Sequence, residues 1–174
     1  MKWNILLLAT TLTSCAIIPP EASVSVTMNQ IDAQGVGKPI GEIKLSDSPN
    51  GLILTPDLAH LEPGPHGFHI HEKGSCAALE KDGKMVAGLA AGGHFDPLHA
   101  EKHEGPVGHG HLGDLAVLEV NADGRATQTM TLPRLKLADI KGRSVIIHEG
   151  GDNFSDQPKP LGGGGGRIAC GLIQ

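Results

Sequence analysis

A period of two, repeatedly cut short, constrains this chain more than any other feature. "SVSVTMNQID" places Val24, Val26 and Met28 two residues apart with polar residues between them. Such alternation turns one face of an extended segment to a core and the other to water, which describes a half-buried strand. "GKPIGEIKLSDS" repeats it with Ile43 and Leu45, and "GLILTPDL", "GPHGFHIHE", "DLAVLEVNADG", "RATQTMTLP", "RSVIIHEGG" and "GRIACGLIQ" supply further candidates. The runs are separated by turn formers, of which the chain holds 25 glycines and 12 prolines. No helix of three or more turns is evident, and "KLADIKG" offers at most a short crossover. The expected fold is therefore all-β: an antiparallel Greek-key barrel or sandwich of about eight strands. With aromatics at 2% and no tyrosine, its core must be built from Val, Ile and Leu.

Two segments resist that pattern. From Lys73 to Gly113 regular structure is expected to stop, and "DNFSDQPKPLGGGGG" forms a second long loop. Loops of such length in a compact domain usually carry function. The Gly162–Gly166 run leads straight into the last strand, so it is read as a tight backbone passage and not as a linker.

The chain opens with "MKWNILLLATTLTSC": a positive residue, an apolar run and small residues before Cys15. This reads as a secretory signal, too short for a membrane span. Its end resembles the lipobox of bacterial lipoproteins, in which the cysteine becomes the acylated first residue; an ordinary signal with a coincidental cysteine is the alternative. The expected organisation is a signal peptide over 1–14, a tether over 15–22 and one domain over 23–174, placed in the periplasm or cell envelope with Cys15 lipid-anchored to a membrane. Cleavage removes Lys2 and no acid, so the formal charge of -5 becomes -6. That sign argues against general nucleic-acid binding. Cys76 and Cys170 remain as an even pair in an oxidising compartment, where a disulfide is the natural inference.

All but one of the ten histidines lie between His60 and His111. In "GFHIHEKGSC" strand alternation puts His69 and His71 on one face, about 6.5–7 Å apart along the backbone. A lone H-x-H is weak evidence, but His94, His103 and His111 follow in the long loop, Asp114 comes next, and His148 ends a distant strand. Six imidazoles and a carboxylate exceed the four ligands of one zinc ion and suit two sites. An all-histidine set favours copper(II); three histidines with an aspartate favour zinc.

With those motifs in hand, the sequence resembles exported bacterial copper–zinc superoxide dismutases. "GFHIHEKGSC", "GGHFDP", "KHEGP", "GHLGDL", "IIHEGGD" and "GGGGGRIACG" occur in the family's order, from Val24 to Ile173. The resemblance implies an enzyme that disproportionates superoxide to oxygen and hydrogen peroxide. It implies copper on His69, His71, His94 and His148, and zinc on His94, His103, His111 and Asp114, with His94 bridging and passing a proton. It also implies that Asp152 hydrogen-bonds His69 and His103, that Cys76 and Cys170 form the family disulfide, and that Arg167 stands over the copper to receive the anion. An inactive copper- and zinc-binding protein of the same fold is the alternative. Monomer and homodimer both remain open.

The other polar residues receive plainer readings. His66 is expected to pack, His60 to sit on a surface turn, and His99 and His109 to be exposed loop residues. Lys81, Lys84 and Lys102 are candidates for focusing the field on the substrate, or simply solvated charges.

Overall fold

A computed structural model describes residues 23–174. The expected signal segment, the expected lipidation at Cys15 and the expected tether lie outside the described residues. Among the described residues no helix is long and apolar enough to cross a membrane.

Four long or central strands come first: β1 (Ser23–Asp32), β2 (Gly35–Ser48), β3 (Gly51–Leu58) and, as one run broken at Gly67, β4 (Gly64–His66) with β5 (Phe68–His71). A hairpin of β6 (Leu79–Lys81) and β7 (Lys84–Val86) precedes β8 (Leu118–Val120) and β9 (Met130–Leu132). The one-turn helix α1 (Leu137–Ile140) leads to β10 (Ser144–His148) and finally β11 (Arg167–Leu172). The large sheet runs β5-β10-β11-β1-β2-β3-β9, and every pairing in it is antiparallel. β4 pairs β8, which extends the ladder past β5. The ends of the ladder, β8 and β9, are successive along the chain, so the sheet curls into a flattened barrel. β3 and β4 lie far apart in it although they are successive, as do β9 and β10; these crossovers give the Greek-key pattern.

The alternation produces the core it predicts. Val26 and Met28 of β1, Ile43 and Leu45 of β2, Leu52 and Leu54 of β3, Phe68 and Ile70 of β5, and Val145 and Ile147 of β10 are buried in one cluster. Each such side chain contributes about 1.5–3 kcal/mol relative to exposure. Pairing sets hydrophobe against hydrophobe, as in Val26 with Ile43 and Leu45 with Leu54.

The opposite face of β5 and β10 is buried too, because loops cover it. There Cys170, Ile146 and His69 form a row across β11, β10 and β5. The pairing slips between Ile147 and His148, so Ile168 is an extra residue and Arg167 stands opposite His148. The Cys76–Cys170 disulfide is formed, with Cα atoms 5.7 Å apart, and ties the first long loop to β11.

Two expectations need adjustment. The loop after Lys73 is not devoid of strands: Asp82 and Gly83, both at positive φ, close the β6–β7 hairpin. Its sequence signal, "KDGK", is an Asp-Gly turn. The eight expected runs all appear, but "GPHGFHIHE" is divided at Gly67, whose N–H and C=O bond Gly150 and His148 outside the main ladder. "KLADIKG" supplies α1, as anticipated.

The disulfide spans 94 residues. Replacing both cysteines (Cys76→Ala with Cys170→Ala) is expected to cost about 2–5 kcal/mol. Denaturant midpoints of the two proteins check this.

Candidate metal centre

β5 is the floor of the site. One of its edges pairs with β10; the other receives two pieces of the long loop. Glu72 donates its N–H to Gly93, Phe95 to Ile70, Ile70 to Gly113, and Gly113 to Phe95. These bonds dock 93–95 and 113–115 as a makeshift edge and bring His94 beside His71 and Asp114 beside His69. Gly113 is required: a Cβ there would lie 2.3 Å from the Ile70 carbonyl oxygen.

Two groups of donor atoms result, each within 4.8 Å of one another: His69, His71, His94 and His148, and His69, His94, His103 and Asp114. All of these residues are buried. His111, also expected, stands next to the second group with Nδ1 3.3 Å from Asp114 Oδ1. The rings are close: His69 stacks on His94 with centroids 3.9 Å apart, and His71 and His148 lie 5.7 Å apart.

Hydrogen bonds settle which nitrogen of each ring is free. His71 Nδ1 donates to Gly92 O at 3.0 Å, and His148 Nδ1 to Gly165 O at 3.2 Å. His69 Nε2 donates to Asp152 Oδ2 and His103 Nε2 to Asp152 Oδ1, both at 2.7 Å. The opposite nitrogens, His71 Nε2, His148 Nε2, His69 Nδ1 and His103 Nδ1, are buried without a hydrogen-bond partner, as is His94 Nε2. Five unpartnered ring nitrogens converging in a dry site are costly unless something binds them. They fit metal ions. Because its Nε2 is committed to Asp152, His69 can serve only one of the two groups. Around Asp114 stand His94 Nδ1 at 2.9 Å, His103 Nδ1 at 3.0 Å and His111 Nδ1. His103 Nδ1 lies within ion-pair distance of Asp114 Oδ2 but is poorly aligned for a hydrogen bond.

Electrostatics divides the site. Burial lowers His69 to a pKa of about 3 and His148 to about 4, with neighbouring imidazoles adding to it and hydrogen bonds opposing. Burial and then the charges of His94 and Arg167 hold His71 well below its usual value. On the other side burial opposes protonation of His103, but the Asp114 and Asp152 carboxylates outweigh it and raise the pKa to about 9. Burial would also raise Asp114 and Asp152, yet hydrogen bonds from the imidazoles keep both well below the carboxylate range.

Arg167 is half-buried and donates to Gly88 O and Gly92 O, at 2.5 and 2.7 Å. Gly92 O thus accepts from both Arg167 and His71. Beneath the site, His66 is buried between the carbonyls of His148 and Glu62, as its packing role requires. His60, His99 and His109 are exposed, as are Lys81, Lys84 and Lys102. Among residues the sequence did not single out, Arg134 donates to Gly110 O at 2.8 Å, beside His111. Arg143 stacks on Phe95 at 3.5 Å and donates to Glu72 O. No motif marks them; only a basic residue near a glycine-rich turn could have drawn attention.

This geometry has close counterparts. The family profile for copper/zinc superoxide dismutase matches residues 40–173. The chain belongs to the copper/zinc superoxide dismutase family. It is 58% identical over 154 residues to a copper–zinc superoxide dismutase of Salmonella typhimurium, covering 88% of this chain and 89% of the relative. The solved Brucella abortus enzyme superposes with a TM-score of 0.86 at 52% identity, covering 88% of this chain and all of that one. The solution structure of the monomeric Salmonella enterica enzyme gives 0.80 at 58%, over 88% of this chain and all of the other.

Two outcomes are expected. Asp152→Asn keeps the shape but turns an NH₂ toward one of two N–H donors. Metal affinity in a chelator competition should fall about 10–100-fold at both groups. In metal-free protein, His69 and His148, with pKa values below the unfolded 6.5, contribute stability above pH 6.5 that is lost as pH falls toward 4. His103, raised to about 9, contributes stability below pH 6.5 that is lost as pH rises through 9. Melting of the chelated protein should therefore show a stability maximum near pH 6.5, set by the common unfolded value of these histidines.

Proposed function

We propose that this chain is a copper–zinc superoxide dismutase that converts two superoxide anions and two protons to oxygen and hydrogen peroxide. The unpartnered nitrogens support the copper set, and the ring nitrogens gathered around Asp114 support the zinc set. His69 Nδ1 and the Nε2 atoms of His71, His94 and His148 would hold copper. The Nδ1 atoms of His94, His103 and His111, with the Asp114 carboxylate, would hold zinc. Copper bound there supplies a one-electron redox couple, and zinc supplies fixed charge without changing valence.

The chain's own residues do the rest. Arg167 offers a rigid, always-charged fork to a small anion. Two loop carbonyls fix it, and β11 sets it opposite His148. Its cation must act against a negative protein, so the local field, not the net charge, brings the substrate in. Superoxide dismutase is itself the standard example of such steering, where focusing raises on-rates by about 10–10³-fold. His94 would carry a proton at Nε2 only while that nitrogen is not serving as a ligand. Burial lowers its basicity, partly offset by Asp114, and a weakly basic nitrogen surrenders a proton readily to the reduced oxygen. Asp152 keeps His69 and His103 in the tautomers that binding needs.

The observation that carries this reading is the shared carbonyl of Gly92, which orients a copper-side imidazole and the anion fork together. A protein that merely stored metal would have no use for that coupling. The signal-like leader and the formed disulfide support export to the periplasm. The cysteine ending the leader supports lipid attachment at Cys15, over the proposed organisation 1–14, 15–22 and 23–174.

Copper- and zinc-loaded protein should disproportionate superoxide in a pulse-radiolysis assay; full metal occupancy without rate enhancement would overturn the reading. His148→Ala should abolish activity while zinc is retained. Arg167→Ala should lower the second-order rate by about tenfold with both metals still bound.

A further inference from the structure

We infer that Asp156 is a positioning residue for the zinc-side histidines, acting through the single peptide unit that joins Lys102 to His103. This rests on the assignment of His103 and His111 to zinc proposed above. Asp156 Oδ2 accepts the backbone N–H of His103 at 2.9 Å. The carbonyl of the same peptide unit, Lys102 O, accepts the backbone N–H of His111 at 2.9 Å. A peptide unit is planar, so holding its N–H end fixes the direction of its C=O end. One carboxylate thereby sets the backbone of His103 directly and that of His111 through one rigid group.

The surroundings make this a built arrangement. Asp156 Oδ1 accepts the N–H of Leu161 at 3.0 Å, so the carboxylate is anchored in its own loop. Both bonds are charge-assisted and stronger than neutral ones. A negative group at the N–H end also lies along the peptide dipole and strengthens the carbonyl as an acceptor. Gly110 packs so tightly over Lys102 O that a Cβ would sit 2.3 Å from it. Arg134 holds the far side of the same turn through Gly110 O.

Asp156 therefore complements Asp152. The two aspartates are four residues apart in one loop. Asp152 grips the His103 ring, and Asp156 grips its backbone. Between them Phe154 lies against Gly105, where a Cβ would come within 2.7 Å of the ring. Asp152 also reaches the copper-side His69, whereas among the described residues Asp156 hydrogen-bonds only the zinc-side segment and its own loop. Its effect should fall on one metal.

The test is Asp156→Ala, with zinc and copper affinities measured separately by chelator competition and amide hydrogen exchange followed at His103 and His111. Zinc affinity should fall about tenfold or more, as for loss of other groups that orient ligands. Copper affinity should stay close to that of the parent, and both amides should exchange faster. Asp156→Asn keeps one acceptor and should give a smaller loss in the same direction; it serves as the variant if the alanine protein does not fold. Unchanged zinc affinity, or equal loss of both metals, overturns the proposal, because a merely structural role would weaken both together. His103→Ala separates the two levels. If it keeps full zinc affinity, the zinc assignment is wrong and the role of Asp156 falls with it. If it loses zinc while Asp156→Ala does not, the assignment stands and Asp156 alone is refuted.

Discussion

Asp152 is the point on which the architecture turns. Its carboxylate is buried, and burying a charge costs several kcal/mol unless it is fully paired. Here Oδ2 takes His69 Nε2, while Oδ1 takes His103 Nε2 and the N–H of Phe154. The charge is thus stabilised by groups from β5, from the first long loop and from its own loop. Remove the carboxylate and three segments lose their common reference. The close approach of Gly162 to it, where a Cβ would lie 2.0 Å from Oδ1, shows how little space the packing leaves.

What could be read from the sequence divides along a physical line. Strands with one face on the core announced themselves through Val26, Met28, Ile43 and Leu45. The β6–β7 hairpin did not, because Leu79, Met85 and Val86 are all partly exposed and no face is buried. Its Asp82–Gly83 turn was the better signal. Ligand-type side chains were legible because imidazole and carboxylate carry their chemistry in their identity, and His69, His71, His94, His103, His111, Asp114 and His148 do come together. The acceptors that orient them were not. Gly88, Gly92 and Gly165 act through main-chain oxygens, which every residue has. Asp156 is silent in the sequence for the mirror-image reason: its partner is a backbone N–H.

The two halves of the site are prepared differently before any ion arrives. One is a desolvated nest of neutral rings beside a guanidinium, which favours a ligand set with free lone pairs. The other is organised by Asp114, whose carboxylate favours protons on His103 and His111 that a cation must displace. Binding there should be coupled to proton release, while the first half is ready as it stands. His94 belongs to both donor groups and so joins these two environments in one ring.

The slip in pairing at Ile147 and His148 has an evolutionary corollary. Arg167 and Cys170 are three positions apart, an odd spacing that in a plain strand would send them to opposite faces. The extra residue Ile168 restores parity, so both reach the covered face of the sheet. A single-residue deletion in this strand could preserve the placement of Cys170 or that of Arg167, but not both. The length of β11 is therefore as constrained as the identity of its buried residues.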